Sequence, residues 1–168
     1  MAHAILKELK NSRTGDAVEC GQVLAVLRLW AFKKNRDRLN VLPVGDEWVL
    51  SETIGLTRSR TGNWQVAKRT TESPNMTRLL LRWAGEQWRQ KFTGQWVCTS
   101  ICLNCGYAAR SHRDQGNVGP SLVRALGQFQ GGSLRVWGRD DGTAPPDELP
   151  LKDAKTLNIG KGFALING

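Results

Sequence analysis

The amino-terminal part of the chain shows apolar residues at helical spacing in two stretches. The first predicted helix spans 18–34, because apolar residues three and four apart share one helix face and lysines suit the negative end of a helix dipole. Its pattern consists of Val23, Val26, Leu27 and Trp30, followed by Lys33 and Lys34. The second predicted helix spans 73–91, where Ser73 can cap the helix and Pro74 fits its first turn. Its apolar face consists of Met76, Leu79, Leu80, Trp83 and Trp88.

The remaining patterns predict strands and loops. Before the second helix, residues 1–17 are polar and predicted irregular, 58–63 is turn-like, and short strands are predicted at 47–50 and 64–67. After Gly94, apolar runs separated by Gly, Pro and Asp predict strands at 95–104, 106–111, 121–127, 133–138, 154–158 and 163–167. The run Phe-Gln-Gly-Gly at 129–132 is predicted to connect a hairpin.

This order of elements predicts an α+β protein. Closely spaced strands without helices between them favour an antiparallel sandwich or barrel, with the preceding helices covering one sheet face. We therefore expect a helical and irregular segment over 1–72 and a β-rich domain over 73–168. The last predicted strand, 163–167, is followed by no further strand, so we expect either association or a missing continuation.

The net charge of +9 suggests an anionic partner. Nucleic acid, an acidic protein and an anionic small molecule all fit, and so does a basic surface with no dedicated partner. Twelve of the 24 Lys and Arg residues precede residue 72, so the charge forms no basic tail. One candidate function is therefore a non-catalytic basic module that binds nucleic acid or another polyanion in a salt-sensitive way.

The sequence contains no apolar run long enough to span a membrane and no signal-peptide pattern. We therefore expect an intracellular protein, cytoplasmic or nuclear, with four reduced cysteines. Cys98, Cys102 and Cys105 are spaced closely enough to suggest zinc. Because no second cysteine pair follows them, buried thiols that pack as small apolar groups are favoured.

The run His112-Arg113-Asp114 is the candidate for chemistry. On extended backbone, residues two apart point to the same side, so an imidazole nitrogen and a carboxylate oxygen could hold one divalent ion. A His and an Asp in a solvated loop are the alternative interpretation. With a distant second His, such a pair forms the facial triad of non-haem Fe(II) oxygenases.

The residues around this pair resemble the Fe(II)/2-oxoglutarate dioxygenase superfamily, in particular its prolyl-hydroxylase-like members. There, a His-x-Asp motif is followed by a Ser-Leu strand, a Gly-Gly-Glu-Leu hairpin and a Gly-x-Ala-Leu strand. The corresponding runs here are Ser121-Leu122, Gly-Gly-Ser-Leu at 131–134 and Gly-Phe-Ala-Leu at 162–165. The runs at 104–114 (Asn-Cys-Gly-Tyr-Ala-Ala-Arg-Ser-His-Arg-Asp), 119–122 and 137–142 are similar to uncharacterised dioxygenase-like proteins of dinoflagellate algae. The similarity covers about residues 73–168.

The resemblance implies a double-stranded β-helix, or jelly roll, with Fe(II) bound by His112 and Asp114 and with 2-oxoglutarate as cosubstrate. Tyr107, Asn117 and Arg124 are candidate cosubstrate ligands. The alternatives are a core or rim aromatic for Tyr107, a turn residue for Asn117 and an outward-facing, solvated side chain for Arg124, as for Arg135.

In the family, the second His and a cosubstrate-binding Arg or Lys follow the Gly-x-Ala-Leu strand, and this chain contains neither. The other histidine, His3, lies in a segment without strand character and is not favoured as a ligand. We therefore expect a β-helix incomplete at its carboxyl end, from a truncated fragment, an incomplete gene model or an inactive relic. Substrate and oligomeric state are not predicted, because substrate contacts lie on variable loops.

Overall fold

The structure, a computed structural model, describes residues 1–11, 16–59, 61–114, 117 and 119–166. Its contacts divide the chain into two units. Unit 1 consists of Met1–Asn35 and Val49–Gly106, and unit 2 of Arg36–Trp48 and Tyr107–Gly168. Helices and antiparallel strand pairs occur together, so the α+β class is confirmed. The domain boundary expected at residue 72 stays a prediction.

Four helices lie in unit 1: α1 (Ala2–Asn11), α2 (Cys20–Arg28), α3 (Lys68–Glu72) and α4 (Pro74–Lys91). The irregular structure predicted for residues 1–17 is wrong over α1. Ile5 and Leu9, four residues apart, are buried on one face of this helix, and their burial stabilises it. Residues 12–15 lie outside the described part.

The predicted helix at 18–34 is confirmed in place but not in length, because α2 ends at Arg28. Val23 and Val26 are buried, as the spacing predicts. Trp30, assigned by the spacing to the same face, instead donates from its indole N–H to Glu52, and Arg69 lies over its ring at 4.7 Å. Trp30 lies beyond the end of α2, and Lys34 lies in a strand rather than at a helix end.

Helix α4 begins at Pro74, as predicted, and runs to Lys91. Four residues of its predicted apolar face are buried, namely Met76, Leu79, Leu80 and Trp83. The fifth, Trp88, packs against Phe92 and Trp96 at ring distances of 4.8 and 5.7 Å. Among the described residues, no helix combines the length and apolar composition needed to cross a bilayer.

The sheet of unit 1 contains β1 (Lys34–Asn35), β2 (Val49–Arg58), β3 (Trp64–Val66) and β4 (Ser100–Cys105). Strand β2 is central and antiparallel to the other three. It is longer than the strand predicted at 47–50, whereas β3 lies within the predicted strand at 64–67. Gly55 has a φ of +92°, and a Cβ there would lie 2.2 Å from the carbonyl oxygen of Thr99, so glycine is required at this approach.

Unit 1 also contains most of the buried apolar side chains. They come from α1, α2, α4, β2, β4 and the segment before α2: Ile5, Leu9, Val18, Val23, Val26, Val49, Ile54, Met76, Leu79, Leu80, Trp83, Ala84 and Leu103. A continuous apolar core of this kind provides the main stabilising term in folding.

Unit 2 contains two antiparallel pairs. Strand β5 (Ser121–Val123) pairs with β8 (Ala164–Ile166), and β6 (Leu134–Val136) pairs with β7 (Lys155–Leu157). The pairs are nested, because the inner strands β6 and β7 lie between β5 and β8 in sequence. Each strand falls inside a predicted strand but is shorter, and Asn167 of the predicted strand 163–167 lies outside the described residues.

Two predictions for the carboxyl-terminal region are wrong. Residues 106–111 form no strand. The run 129–132 does not close a hairpin, because the strands on either side of it, β5 and β6, pair with β8 and β7 instead. Gly131 and Gly132 do adopt positive φ angles of 70° and 69°, so the run turns the chain as its glycines indicate, but between strands that do not pair.

Candidate functional site

The His112-Arg113-Asp114 run follows β4 and precedes β5 in the sequence, in unit 2. The spacing inference assumed extended backbone at the run, and none of these three residues lies in a strand. The two side chains nevertheless converge, with His112 Nε2 3.5 Å from Asp114 Oδ1. The side chain of His112 is 26% exposed and that of Asp114 is 41% exposed, so a small ligand can reach both.

The second imidazole nitrogen fixes the orientation of His112. Nδ1 lies 2.8 Å from the backbone carbonyl oxygen of Arg110. A carbonyl can only accept a hydrogen bond, so Nδ1 carries the hydrogen and donates it. In the neutral ring, Nε2 then presents its lone pair towards the carboxylate of Asp114. This is the arrangement in which a metal-binding histidine is held by a backbone carbonyl behind it.

The charges of the pair are coupled. The pKa of His112 is raised above its ordinary value, mainly by the hydrogen bond to Asp114 and also by the Arg110 carbonyl, although partial burial opposes the shift. The pKa of Asp114 is lowered, mainly by the same hydrogen bond. Two atoms with lone pairs face each other here, so a positive group between them stabilises the pair. A proton on Nε2 fills this role, and a divalent cation could replace it.

Arg113 fixes the backbone between the two candidate ligands. Its guanidinium forms a two-pronged pair with the Asp140 carboxylate at 2.6 and 2.8 Å and also donates to the carbonyl of Ala144. The pKa of Asp140 is lowered, mainly by Arg113. Such planar, bidentate pairs restrict geometry more than a single contact does. No local sequence pattern indicates this pair, because its members are 27 residues apart and lie in two loops.

A second arginine anchors the segment just before His112. The guanidinium of Arg110 donates to the carbonyls of Leu39 at 3.1 Å and Asn40 at 3.4 Å. These residues belong to the segment Arg36–Trp48, which is part of unit 2. The candidate ligands are therefore anchored by two arginines, Arg110 just before His112 and Arg113 between His112 and Asp114.

The geometry fits two metal ligands and supplies no third. Two ligand atoms each about 2.1 Å from one ion, at an angle of about 90–110°, are about 3.0–3.4 Å apart. The observed 3.5 Å is close to this range, so a small shift would suffice. Within the described ranges, however, no group of three or more His, Cys, Asp or Glu side chains is placed to hold a metal ion. His3 lies on α1 in unit 1.

The predicted cosubstrate ligands differ in where they lie. Asn117 is close to the pair, with its Nδ2 3.4 Å from Asp114 Oδ2, and this contact contributes to the low pKa of Asp114. Tyr107 is half-buried and lies in the irregular segment before the run, not on a strand. Their role as cosubstrate ligands stays a prediction.

Arg124 follows β5 and donates to the carbonyl of Ile159 at 3.0 Å. The backbone N–H of Ala125 donates to the same oxygen. This hydrogen bond from the Arg124 guanidinium thus links the end of β5 to the segment before β8. Arg135 is exposed on β6, as the outward-facing interpretation predicts.

The cysteines differ from the sequence-based expectation. Cys98 is half-buried, and burial raises the pKa of its thiol, but Cys102 and Cys105 are exposed on β4. Buried packing is therefore wrong for these two residues. In β4 the buried position is Leu103, between Cys102 and Asn104, so the apolar face of the strand is the one that Cys102 does not occupy.

No family model, curated protein or solved structure matches this chain. The resemblance to dioxygenases therefore depends on the motifs quoted above and stays a prediction.

Proposed function

We propose that His112 and Asp114 are two of the protein ligands of an Fe(II) site of the 2-oxoglutarate dioxygenase type. The observation that carries the proposal is the 3.5 Å approach of His112 Nε2 to Asp114 Oδ1, with Nδ1 held by the Arg110 carbonyl. This combination presents an imidazole lone pair and an ionised carboxylate to the same point. Both are ligands of the facial triad in non-haem iron oxygenases.

The strand order of unit 2 supports the proposal. Nested antiparallel pairs, with β6–β7 inside β5–β8, are the arrangement from which a jelly roll is built. In the proposed fold, the two pairs belong to the facing sheets of a double-stranded β-helix. The ligand segment then precedes the first strand of the nested set.

Each residue of the run has a separate task in the proposed site. His112 and Asp114 hold the ion. Arg113 positions both through its pair with Asp140 and its contact with Ala144. Iron with 2-oxoglutarate supplies an oxidation chemistry whose substrate depends on surrounding loops.

Two donors are fewer than this chemistry needs. Since the described residues place no third His, Cys, Asp or Glu beside the pair, we expect the chain by itself to bind Fe(II) weakly and to show no dioxygenase turnover. A third ligand from outside the described residues, or from another molecule, would complete the site.

The test is an anaerobic Fe(II) titration of the full chain by equilibrium dialysis, with folding checked by circular dichroism. We expect one weak site whose affinity falls at least about tenfold in His112→Ala and in Asp114→Ala. His3→Ala is the matched control, because it removes the other histidine, which lies in unit 1. Equal affinity in wild type and His112→Ala, or an equal loss in His3→Ala, would contradict the proposal.

A further inference from the structure

A second candidate binding surface lies on the hairpin formed by β2 and β3. Leu56 is opposite Val66, and Arg58 is opposite Trp64. Since side chains alternate along a strand, these four residues share one side of the hairpin, and Thr57 and Gln65 lie on the other. We call the side with Leu56, Arg58, Trp64 and Val66 the hairpin face.

The hairpin face exposes apolar side chains. Trp64 is 65% exposed, Val66 55% and Leu56 39%. Leu56 and Val66 are directly opposite, and Trp64 is two residues from Val66, so the three exposed apolar side chains are neighbours, as in an interaction site, and not isolated surface residues. A tryptophan whose ring is mostly in water offers a flat surface on which another planar group can stack.

Hydrogen bonds join Ser59 and Asn63, the residues at the two ends of the hairpin connection. The backbone N–H of Ser59 donates to the carbonyl of Asn63 at 2.8 Å, and the N–H of Asn63 returns a bond to Ser59 Oγ at 3.1 Å. Gly62, with a φ of +85°, makes the tight turn possible.

Positive charge accompanies the ring. The Arg58 guanidinium carbon lies 5.6 Å from the centre of the Trp64 ring. In the part of the chain that the structure describes, no carboxylate forms an ion pair with Arg58. An unneutralised guanidinium beside an exposed indole offers a contact for an anion next to a stacking surface.

The surrounding unit is strongly basic. Unit 1 contains 14 Lys and Arg against six Asp and Glu, a net charge of +8, whereas unit 2 contains ten against nine. Three of the six acidic groups are already paired, since Glu52, Glu72 and Glu86 contact basic side chains of the same unit. The field around the hairpin face therefore attracts polyanions and repels a second copy of this chain.

We propose that the hairpin face binds single-stranded nucleic acid, with a base stacked on Trp64 and Arg58 in contact with the adjacent phosphate. Stacking on an exposed aromatic ring together with a nearby cation is the mode by which proteins bind single strands without reading their sequence. The +8 charge of unit 1 distinguishes this partner from an apolar protein surface. The site is in unit 1 and does not depend on iron.

The experiment measures the fluorescence anisotropy of labelled oligothymidylate and oligouridylate of about 15 nucleotides as the full chain is added. We expect binding at about 50 mM salt that weakens steeply towards about 200 mM. Trp64→Ala lowers the affinity about tenfold, whereas Trp64→Phe, which keeps a ring, stays within about threefold of wild type. The two probes distinguish DNA from RNA as the source of the strand.

Arg89→Gln is the charge-matched control for Arg58→Gln, because Arg89 is exposed on α4 in the same unit and the substitution removes the same charge. We expect the larger loss of affinity in Arg58→Gln. Three results would overturn the proposal: no binding at low salt, equal binding by Trp64→Ala and wild type, or equal effects of the two arginine variants. Sedimentation that shows a dimer lost in Trp64→Ala, without oligonucleotide binding, would identify a self-association surface instead. Trp64 is exposed, so thermal unfolding should be unchanged in its variants.

Discussion

Units 1 and 2 are stabilised in different ways. Thirteen of the fourteen buried apolar residues in the described part of the chain lie in unit 1, and one, Val41, lies in unit 2. Unit 2 relies on polar contacts, including Arg113 with Asp140, Arg124 with the Ile159 carbonyl and the Trp137 indole with the Pro150 carbonyl. A typical hydrogen bond contributes a net of about 0.5–1.5 kcal/mol, less than the burial of a large apolar side chain.

This difference bears on function, because each proposed site lies in a different environment. The hairpin face extends from a sheet whose central strand contributes Val49 and Ile54 to the core. The candidate iron ligands lie in an irregular segment whose geometry depends on Arg110 and Arg113. We therefore expect the hairpin to tolerate substitutions that would disturb the ligand pair.

The largest expected effect comes from core truncation. Leu79 on α4 is fully buried, so Leu79→Ala should lower the free energy of unfolding by about 2–5 kcal/mol. Leu122→Ala makes the same chemical change at a half-buried position of β5, outside that core. It should lower the free energy of unfolding by about 1 kcal/mol or less. Urea unfolding followed by circular dichroism measures both. Equal losses would show that unit 2 has a core comparable to that of unit 1.

A smaller difference is expected between two arginine–carboxylate pairs. In unit 1, Arg69 pairs with Glu52, whose side chain is 8% exposed and also accepts from Trp30. Arg69→Ala leaves the Glu52 carboxylate buried without its cation. It should lower the free energy of unfolding by about 3 kcal/mol. Arg113→Ala should lower the free energy of unfolding less than Arg69→Ala does, because water reaches its partner Asp140 more readily.

The pH dependence of these variants provides a control. Arg113 lowers the pKa of Asp140, so this pair contributes stability above the ordinary range of an aspartate and loses it as the pH falls through the lowered value. The difference in unfolding free energy between wild type and Arg113→Ala should therefore shrink below about pH 4, down to the part that the Ala144 carbonyl contact contributes. A difference that does not change with pH would mean that the Asp140 pair contributes nothing to stability.

The elements predicted correctly are those that depend on residues close together in the sequence. Pro74 marked the start of α4, and the three-residue spacing of Val23 and Val26 predicted α2. Trp30 was assigned to a helix because its partners, Glu52 and Arg69, are distant in sequence. Helix α1 was missed although Ala2, Ile5, Leu6 and Leu9 repeat at helical spacing, because the charged residues between them made the segment read as polar.

In the candidate sites, too, contacts between residues close in sequence were predicted and contacts between distant residues were not. The two-residue spacing predicted that His112 and Asp114 approach each other, and the structure brings Asn117 to them as well. Sequence gave no sign of the Arg113–Asp140 pair or of the Trp64–Arg58 arrangement. The first joins loops far apart in sequence, and the second depends on the pairing register of β2 and β3.

The central claim is that His112 and Asp114 hold a divalent ion together, and the two histidines of the chain allow a direct test. Proton NMR of the imidazole rings during a Mn²⁺ titration, with Mn²⁺ as a paramagnetic substitute for Fe(II), reports which ring approaches the ion. The account predicts that the His112 signals broaden at substoichiometric metal while those of His3 do not, and that Asp114→Asn weakens the effect. Equal broadening of both histidines, or none at His112, would contradict it.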